Sequence, residues 1–472
     1  MRPRLLASLT VVAVALGAGC NSSNNSTMPP PGRGAIKHVV ILLQENRSFD
    51  NLFAGFPGAH TAMEGECKAS PSVPQCEVGH KVHLKAIPLA EGPPSKGGKD
   101  ICHSHGCFVT ECDANSQGVC RNDGFDLITY GEGSGGPLAY LYPYAYVRRS
   151  DTKAYWDLAK AYALADEMFF TETASSFIAH QVILSGTVAL NSKESLTDEP
   201  SAMPWGCDAP RHRSSGGPAT TALIFRNGHV SPFGGPFPCF TQYRTLADLL
   251  DRKDVSWKYY VAAIKAPHEP SGQVWDGYDG IERVRYGHDW KTHVVNPGTA
   301  VLTDIKDGTL PSMSWVIPTL YDSDHPGSGC NGGPRWITSV VDAIGGSPYW
   351  NDTAIIVLWD DWGGWFDSFP PPQISYTRLG FRVPMIVISP YVKAHTISHT
   401  QYDFGSVLRF AEETFGLGSL GTADATANSM SGVFDFSQAP IAFHAEPKPR
   451  ANTCSTPPSL EAIIAHNHEV PD

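Results

Sequence analysis

Two stretches of the chain are apolar without alternation. His38-Val39-Val40-Ile41-Leu42-Leu43 is the first, and Thr353-Ala354-Ile355-Ile356-Val357-Leu358 is the second. Such runs predict strands buried on both faces, as in a parallel sheet with helices on either side. Trp257–Ala262, Met313–Pro318 and Val383–Ser389 read as further strands. Helical spacing runs over Trp156–Ala165, Trp336–Ile344 and Val407–Thr414. Leu246–Leu250 reads as the end of a helix, Phe169 opens a new element, and Leu460–Ala465 reads as a last helix. Gly55–Gly136, rich in Gly, Pro and Cys, and Ser192–Gln242 lack a clear period and read as irregular insertions. With no evident linker, strand-like and helix-like segments in alternation predict one large α/β domain over residues 35–435. Insertions are expected near 55–136 and 192–242, and an extension over 436–472.

The two apolar runs end in polar segments of unusual content. Gln44-Glu45-Asn46-Arg47-Ser48-Phe49-Asp50-Asn51 follows the first, and Trp359-Asp360-Asp361-Trp362-Gly363-Gly364-Trp365-Phe366-Asp367 follows the second. In open α/β sheets ligands bind at the carboxyl ends of the strands. Glu45, Asn46, Asp360 and Asp361 would there form an all-oxygen nest for one hard or borderline divalent metal ion. A carboxylate after a strand can instead be a helix cap or a turn residue. The adjacent pair Asp360-Asp361 favours the metal, because neighbouring carboxylates repel unless a cation or proton lies between them. The glycines that follow allow close backbone approach.

Bulk properties narrow the partners. A formal net charge of −12 over 472 residues, without a long Lys/Arg run, gives no support for nucleic-acid binding and argues against electrostatic docking on anionic lipid. Arg2 and Arg4, the apolar run Leu5–Leu16 and Gly17-Ala18-Gly19-Cys20 read as a signal peptide over residues 1–19. Its ending is similar to a bacterial lipoprotein signal, with a lipid anchor at Cys20; plain secretion is the alternative. Residues 20–34 then read as a flexible tether, and the protein as exported, either periplasmic or on the outer surface. Setting Cys20 aside leaves ten of the eleven cysteines, six of them between Cys67 and Cys120. In an oxidising compartment they predict disulfides of unspecified pairing. A zinc site built from Cys102-His103-Ser104-His105-Gly106-Cys107 is the competing reading.

The signature segments form an ordered series. Glu45-Asn46-Arg47-Ser48-Phe49-Asp50 is followed by Asp123-Gly124-Phe125, Gly308-Thr309-Leu310-Pro311, Asp324-His325-Pro326 and Ser347-Pro348-Tyr349-Trp350-Asn351-Asp352-Thr353. Asp360-Asp361-Trp362-Gly363-Gly364-Trp365-Phe366-Asp367, Phe381-Arg382-Val383-Pro384, Ser389-Pro390-Tyr391-Val392 and Tyr402-Asp403 complete it. From Ala35 to about Gly416 the chain resembles the bacterial phosphoesterase family, which holds phospholipases C and acid phosphatases. The resemblance implies an alkaline-phosphatase-like α/β core, a mostly parallel central sheet flanked by helices, here with disulfide-rich loop insertions. It implies hydrolysis of a phosphate monoester or phospholipid through a serine nucleophile and a phosphoserine. Glu45, Asn46, Asp360 and Asp361 match the family's metal ligands, with Asp361 shorter than the glutamate usual there. Ser176 takes the nucleophile position, with Ser175 the alternative. The family's Pro, Asn and Arg beyond the nucleophile are here Ile178, Ala179 and His180, so His180 would replace the arginine as a phosphate contact. His325 matches a histidine that can protonate the leaving alcohol, and His103 one that contacts phosphate. The altered segment also motivates a non-catalytic surface protein on a decayed scaffold. A sulfatase-like esterase would want the missing Pro and Arg.

Overall fold

The structure is a computed structural model that describes residues 34–449, apart from 69–75, 77–80, 91–99, 132–135, 213–215, 217–219, 235–238, 267–268, 329–330, 373–374, 376–377, 446 and 448. The signal peptide, Cys20 and almost all of the tether, Cys330, Cys454 and the helix expected at Leu460–Ala465 lie outside the described residues.

The first apolar run becomes the strand His38–Gln44, and the second becomes Thr353–Trp359. They pair in parallel, His38 opposite Thr353 through Gln44 opposite Trp359. Nearly every residue of both is buried, so both sheet faces are covered, as non-alternating runs require. The sheet has eight strands in the order Val294–Val295, Trp257–Tyr260, Met313–Val316, His38–Gln44, Thr353–Trp359, Met385–Ile388, Ala163–Ala165 and Thr396–Ser398. Met385–Ile388 runs against both of its neighbours, and every other pairing is parallel. Helix Gly333–Gly345 packs on Arg149–Ala161, and helix Phe404–Phe415 on Ser176–Ser185. The fold is the mixed α/β class expected, and the strands read from the runs beginning at 38, 257, 313, 353 and 383 lie on those runs.

Three local expectations need correction. The helix read over Trp156–Ala165 occupies Arg149–Ala161, and Ala163–Ala165 is a strand. Tyr162 leaves helical geometry at φ −116°, ψ −129°, and the strand is held between Met385–Ile388 and Thr396–Ser398. Tertiary pairing overrides the helix preference of Ala and Leu. The stretch 192–242 is not irregular: Ala189–Asn191, Glu194–Leu196, Thr221–Arg226 and His229–Gly234 form a four-stranded antiparallel sheet. Its hairpin turns at Asn227-Gly228, both with positive φ (51° and 84°), as an Asn-Gly turn prefers. Leu246–Asp251 is a complete short helix capped by Thr245 and Asp248, not the end of a longer one.

Among the described residues four disulfides join Cys67–Cys76, Cys102–Cys107, Cys112–Cys120 and Cys207–Cys239. The second occupies both sulfurs of the competing zinc reading, which is thereby excluded. Among the described residues no helix is long and apolar enough to cross a membrane.

Candidate active site

The two central strands deliver their polar ends to one place. Asn46 N donates to Asp360 Oδ1 at 2.7 Å, and Arg47 N to the Asp361 carbonyl at 3.0 Å, across 314 residues of chain. Asn46 holds φ +54°, a left-handed conformation that Asn tolerates better than most residues. Gly363 and Gly364 turn back with φ +61° and +71°, and a Cβ on Gly363 would stand 2.3 Å from the Asn46 carbonyl. The Gly-Gly pair is therefore fixed by close backbone approach.

Glu45, Asp360 and His180 each offer a ligand atom within 4.8 Å of the others. His180 Nε2 stands 3.1 Å from Glu45 Oε1. Glu45 Oε2, Asn46 Oδ1, Asp360 Oδ2 and His180 Nδ1 are buried without a protein hydrogen bond. Burial, then the Asp360 carboxylate, holds Glu45 well above the usual carboxylate range. Asp361 is raised in the same way, by burial and then by Asp360. Burial pushes the His180 imidazole down to about 4, so it is neutral at physiological pH. Carboxylates this close and this dry require a proton or a cation between them. The orphaned oxygens of Glu45, Asn46 and Asp360 are of a type that fits a divalent ion.

Ser176 opens the ten-residue helix Ser176–Ser185 as its first residue, with Ser175 at the cap. Ser176 Oγ donates to Asp361 Oδ2 at 3.3 Å, and Asp361 Oδ1 accepts from Gly363 N at 2.7 Å. Asp361 thus faces the serine, while Asp360 faces the Glu45–His180 cluster. His103 is fully buried: Asn46 Nδ2 lies 2.8 Å from its Nε2, and its Nδ1 lies 2.7 Å from the Ile101 carbonyl. His325 Nδ1 lies 2.7 Å from the Pro326 carbonyl, and its Nε2 lies 3.4 Å from Asp100 Oδ2. Burial is the largest influence on His325 and lowers its pKa; Asp100 acts the other way.

Two participants carry no role in the sequence reading. Asp100 faces both histidines, with Oδ2 also 3.9 Å from His103 Nδ1. Trp275 lies beside His180 (centroids 6.4 Å, planes 5° apart) and His325 (5.8 Å, 34°). Asp100 adjoins the His103 segment but nothing local marks its target, and Trp275 is locally indistinguishable from a core aromatic.

A model of the Phosphoesterase family matches residues 36–418. The chain belongs to that family. Among curated proteins it is 25% identical over 489 residues to phospholipase C A of Mycobacterium tuberculosis, an alignment covering 91% of this chain and 81% of that one. It is 24% identical over 445 residues to haemolytic phospholipase C of Pseudomonas aeruginosa, covering 85% of this chain and 56% of that one. Among solved structures, an alkaline phosphatase superfamily protein from Vibrio parahaemolyticus matches 59% of this chain and 65% of that one, at 12% identity and TM-score 0.32. Nothing about function rests on so slight a likeness. As a member of the family the chain is a phosphoric ester hydrolase.

Much of the phosphoesterase signature is scaffolding. Arg47 donates to the Asp324 carbonyl at 2.8 Å, to Asn51 Oδ1 at 3.1 Å and to the Leu89 carbonyl at 3.1 Å. Ser48 caps the helix Phe49–Phe53 and donates to the Phe366 carbonyl at 2.7 Å. Arg382 grips Asp367 through two bonds of 2.8 and 3.2 Å, with Asp50 Oδ2 at 3.7 Å. The Asp324 carboxylate accepts from Tyr155 Oη at 2.8 Å and Trp359 Nε1 at 2.9 Å, which fixes the peptide that carries His325.

Proposed function

We propose that this phosphoesterase is an exported, metal-dependent hydrolase that cleaves phosphate esters in two displacements, with Ser176 as nucleophile. The observation that carries the reading is the Ser176 Oγ–Asp361 Oδ2 contact of 3.3 Å beside the orphaned oxygens of Glu45, Asn46 and Asp360. Glu45, Asn46, Asp360 and Asp361 would hold one divalent cation. When bound, that ion would favour the ionised serine and offset charge on the phosphoryl oxygens.

The chain's own groups then divide the work. Asp361 Oδ2 takes the Ser176 proton, which the hydroxyl must lose to act as a nucleophile. Ser176 Oγ bonds to phosphorus as the bond to the leaving alcohol breaks in line. Amides at the start of the helix Ser176–Ser185 are placed to meet phosphoryl oxygens. His325, charged and held by Asp100, gives its Nε2 proton to the leaving oxygen. In the second step water gives a proton to the now neutral His325 and attacks phosphorus, and Ser176 leaves, recovering its proton from Asp361. His103, engaged at both nitrogens, holds the Asn46 amide in place, and His180 is the candidate phosphate contact in place of the missing arginine.

The names of the curated relatives favour a phospholipid over a simple phosphomonoester. Four disulfides support export to an oxidising compartment, as a periplasmic or outer-surface lipoprotein anchored at Cys20 or as a secreted protein. The test is turnover of p-nitrophenyl phosphate and of phosphatidylcholine vesicles by metal-replete wild type, Ser176→Ala and Ser175→Ala. We expect Ser176→Ala to lose on the order of 10⁴-fold in kcat and Ser175→Ala to retain most activity. Equal rates for wild type and Ser176→Ala would remove Ser176 as nucleophile.

A further inference from the structure

Away from the active centre the fold gathers two histidines and two carboxylates from three distant segments. His60 lies in the loop after the helix Phe49–Phe53. Asp166 and Glu167 follow the strand Ala163–Ala165, and His399 follows the edge strand Thr396–Ser398. His399 Nδ1 stands 2.9 Å from both Asp166 oxygens. His60 Nδ1 stands 3.8 Å from Asp166 Oδ2 and 3.1 Å from Glu167 Oε1. The two imidazole rings lie nearly face to face, with centroids 4.4 Å apart and planes 27° apart. The Asp166 side chain is wholly buried, whereas the rings are 49% and 46% exposed, so the cluster opens to solvent.

We propose that His60, Asp166 and His399 form a second divalent-metal site, of a composition suited to zinc, with Glu167 beside it. Two imidazole nitrogens with one carboxylate oxygen are a three-ligand donor set for a borderline divalent ion, and the Asp166 and Glu167 carboxylates balance its charge. The spacing agrees. Bonds of about 2.0–2.2 Å around a tetrahedral zinc set neighbouring ligand atoms roughly 3.3–3.5 Å apart. The observed nitrogen–oxygen separations to Asp166 of 2.9 and 3.8 Å straddle that value.

An ordinary hydrogen-bonded surface pair explains less. Asp166 Oδ2 already accepts from the His60 backbone N at 2.7 Å and faces His399 Nδ1. His60 Nδ1 has its own partner in Glu167 Oε1 at 3.1 Å, but two stacked imidazoliums 4.4 Å apart would repel, which neutral rings sharing a cation would avoid. Arg382 Nη1 donates to the backbone carbonyls of His60 and Asp166 at 2.7 Å each, and its remaining nitrogens are directed to Asp367. A bound ion would fasten the loop that carries His60 to the exposed edge of the main sheet.

Zinc content of the full chain tests this, measured by mass spectrometry after equilibration with Zn²⁺ and gel filtration. Wild type should carry one equivalent more than His60→Ala/His399→Ala. Any ion at the active centre cancels in that difference, so the result is independent of the function proposed above. Loss of even a group that only supports a ligand weakens metal binding about 10–100-fold, so removing two ligands should raise the Kd of this site at least about 100-fold. The Zn²⁺-dependent rise in Tm that belongs to this site should disappear, while turnover of p-nitrophenyl phosphate is kept. Equal zinc content in the two proteins overturns the proposal. Should the double variant fail to fold, His399→Gln is compared with wild type by the visible absorption of bound Co²⁺; an unchanged spectrum has the same force as equal zinc content.

Discussion

Gly363→Ala probes the join between the two strand ends without touching a reacting group. A Cβ there would stand 2.3 Å from the Asn46 carbonyl oxygen, 2.7 Å from its carbon and 2.8 Å from the Asn46 Cβ. The 2.3 Å approach has to open to the 3.4 Å of ordinary contact, a shift of about 1.1 Å. Gly363 N also donates to Asp361 Oδ1, so the carboxylate facing Ser176 moves with it. An alanine at φ +61° costs ~1–2 kcal/mol for the left-handed backbone, and the overlap adds ~1–3 kcal/mol. Stability should fall by ~2–5 kcal/mol in urea unfolding. Misplacement of positioning groups by about 1 Å costs on the order of 100-fold in rate, so kcat/KM on p-nitrophenyl phosphate should fall by about that factor in the folded protein. Gly418→Ala is the control. It has φ +89° with no heavy atom within 4 Å of the added carbon, so it carries the backbone cost alone. If Gly363→Ala turns over within a factor of about three of Gly418→Ala, about 0.6 kcal/mol, the placement of Asn46 and Asp361 beside the chemistry is wrong.

Two further outcomes follow from buried charge. Burial lowers the His325 pKa, and the charged ring is the form that donates a proton. The kcat profile should therefore fall as pH rises, with a midpoint below the ordinary imidazole value of about 6.5, and His325→Gln should lack that limb; a midpoint above it, or a limb that survives the substitution, contradicts the role. Arg382→Met leaves Asp367 and Asp50 buried and unpaired and should cost ~3–5 kcal/mol in urea unfolding. Burial and Asp367 already hold the Asp50 carboxyl at about 6. Without the guanidinium it rises further, so the folded state binds the proton more tightly than the unfolded one and loses stability as pH climbs between the two pKa values. The deficit of the variant should be larger at pH 8 than at pH 5, and a deficit equal at both would show that the carboxylates are not desolvated.

The candidate site was legible where composition and topology act together. Unbroken apolar runs must lie inside a covered sheet, and polar residues at their ends must emerge at its carboxyl edge. Glu45, Asn46, Asp360 and Asp361 are brought together for that reason. Trp275 could not be read, because its value comes from two histidines that arrive from elsewhere in the chain. The strand Ala163–Ala165 was hidden for a similar reason: its residues favour helix, and only partners from positions 385–398 make it extended. The Asn227-Gly228 hairpin was legible, since Asn-Gly between two short β-prone stretches is a strong local turn pattern, and it was overshadowed by the glycines and prolines around it.

The order of strands has a consequence for how the molecule comes into being. His38–Gln44 lies inside the sheet, and the segments on its two sides end at Val316 and Trp359. At a synthesis rate of about 5–20 residues per second, the 315 positions from Gln44 to Trp359 take roughly 16–63 s to be made. Both edges of an apolar strand are bare until Met313–Val316 is made, and one stays bare until Thr353–Trp359 follows. Folding is thus postponed until translation is nearly over, which keeps the nascent polypeptide a pliable thread for as long as transport across a membrane would need one.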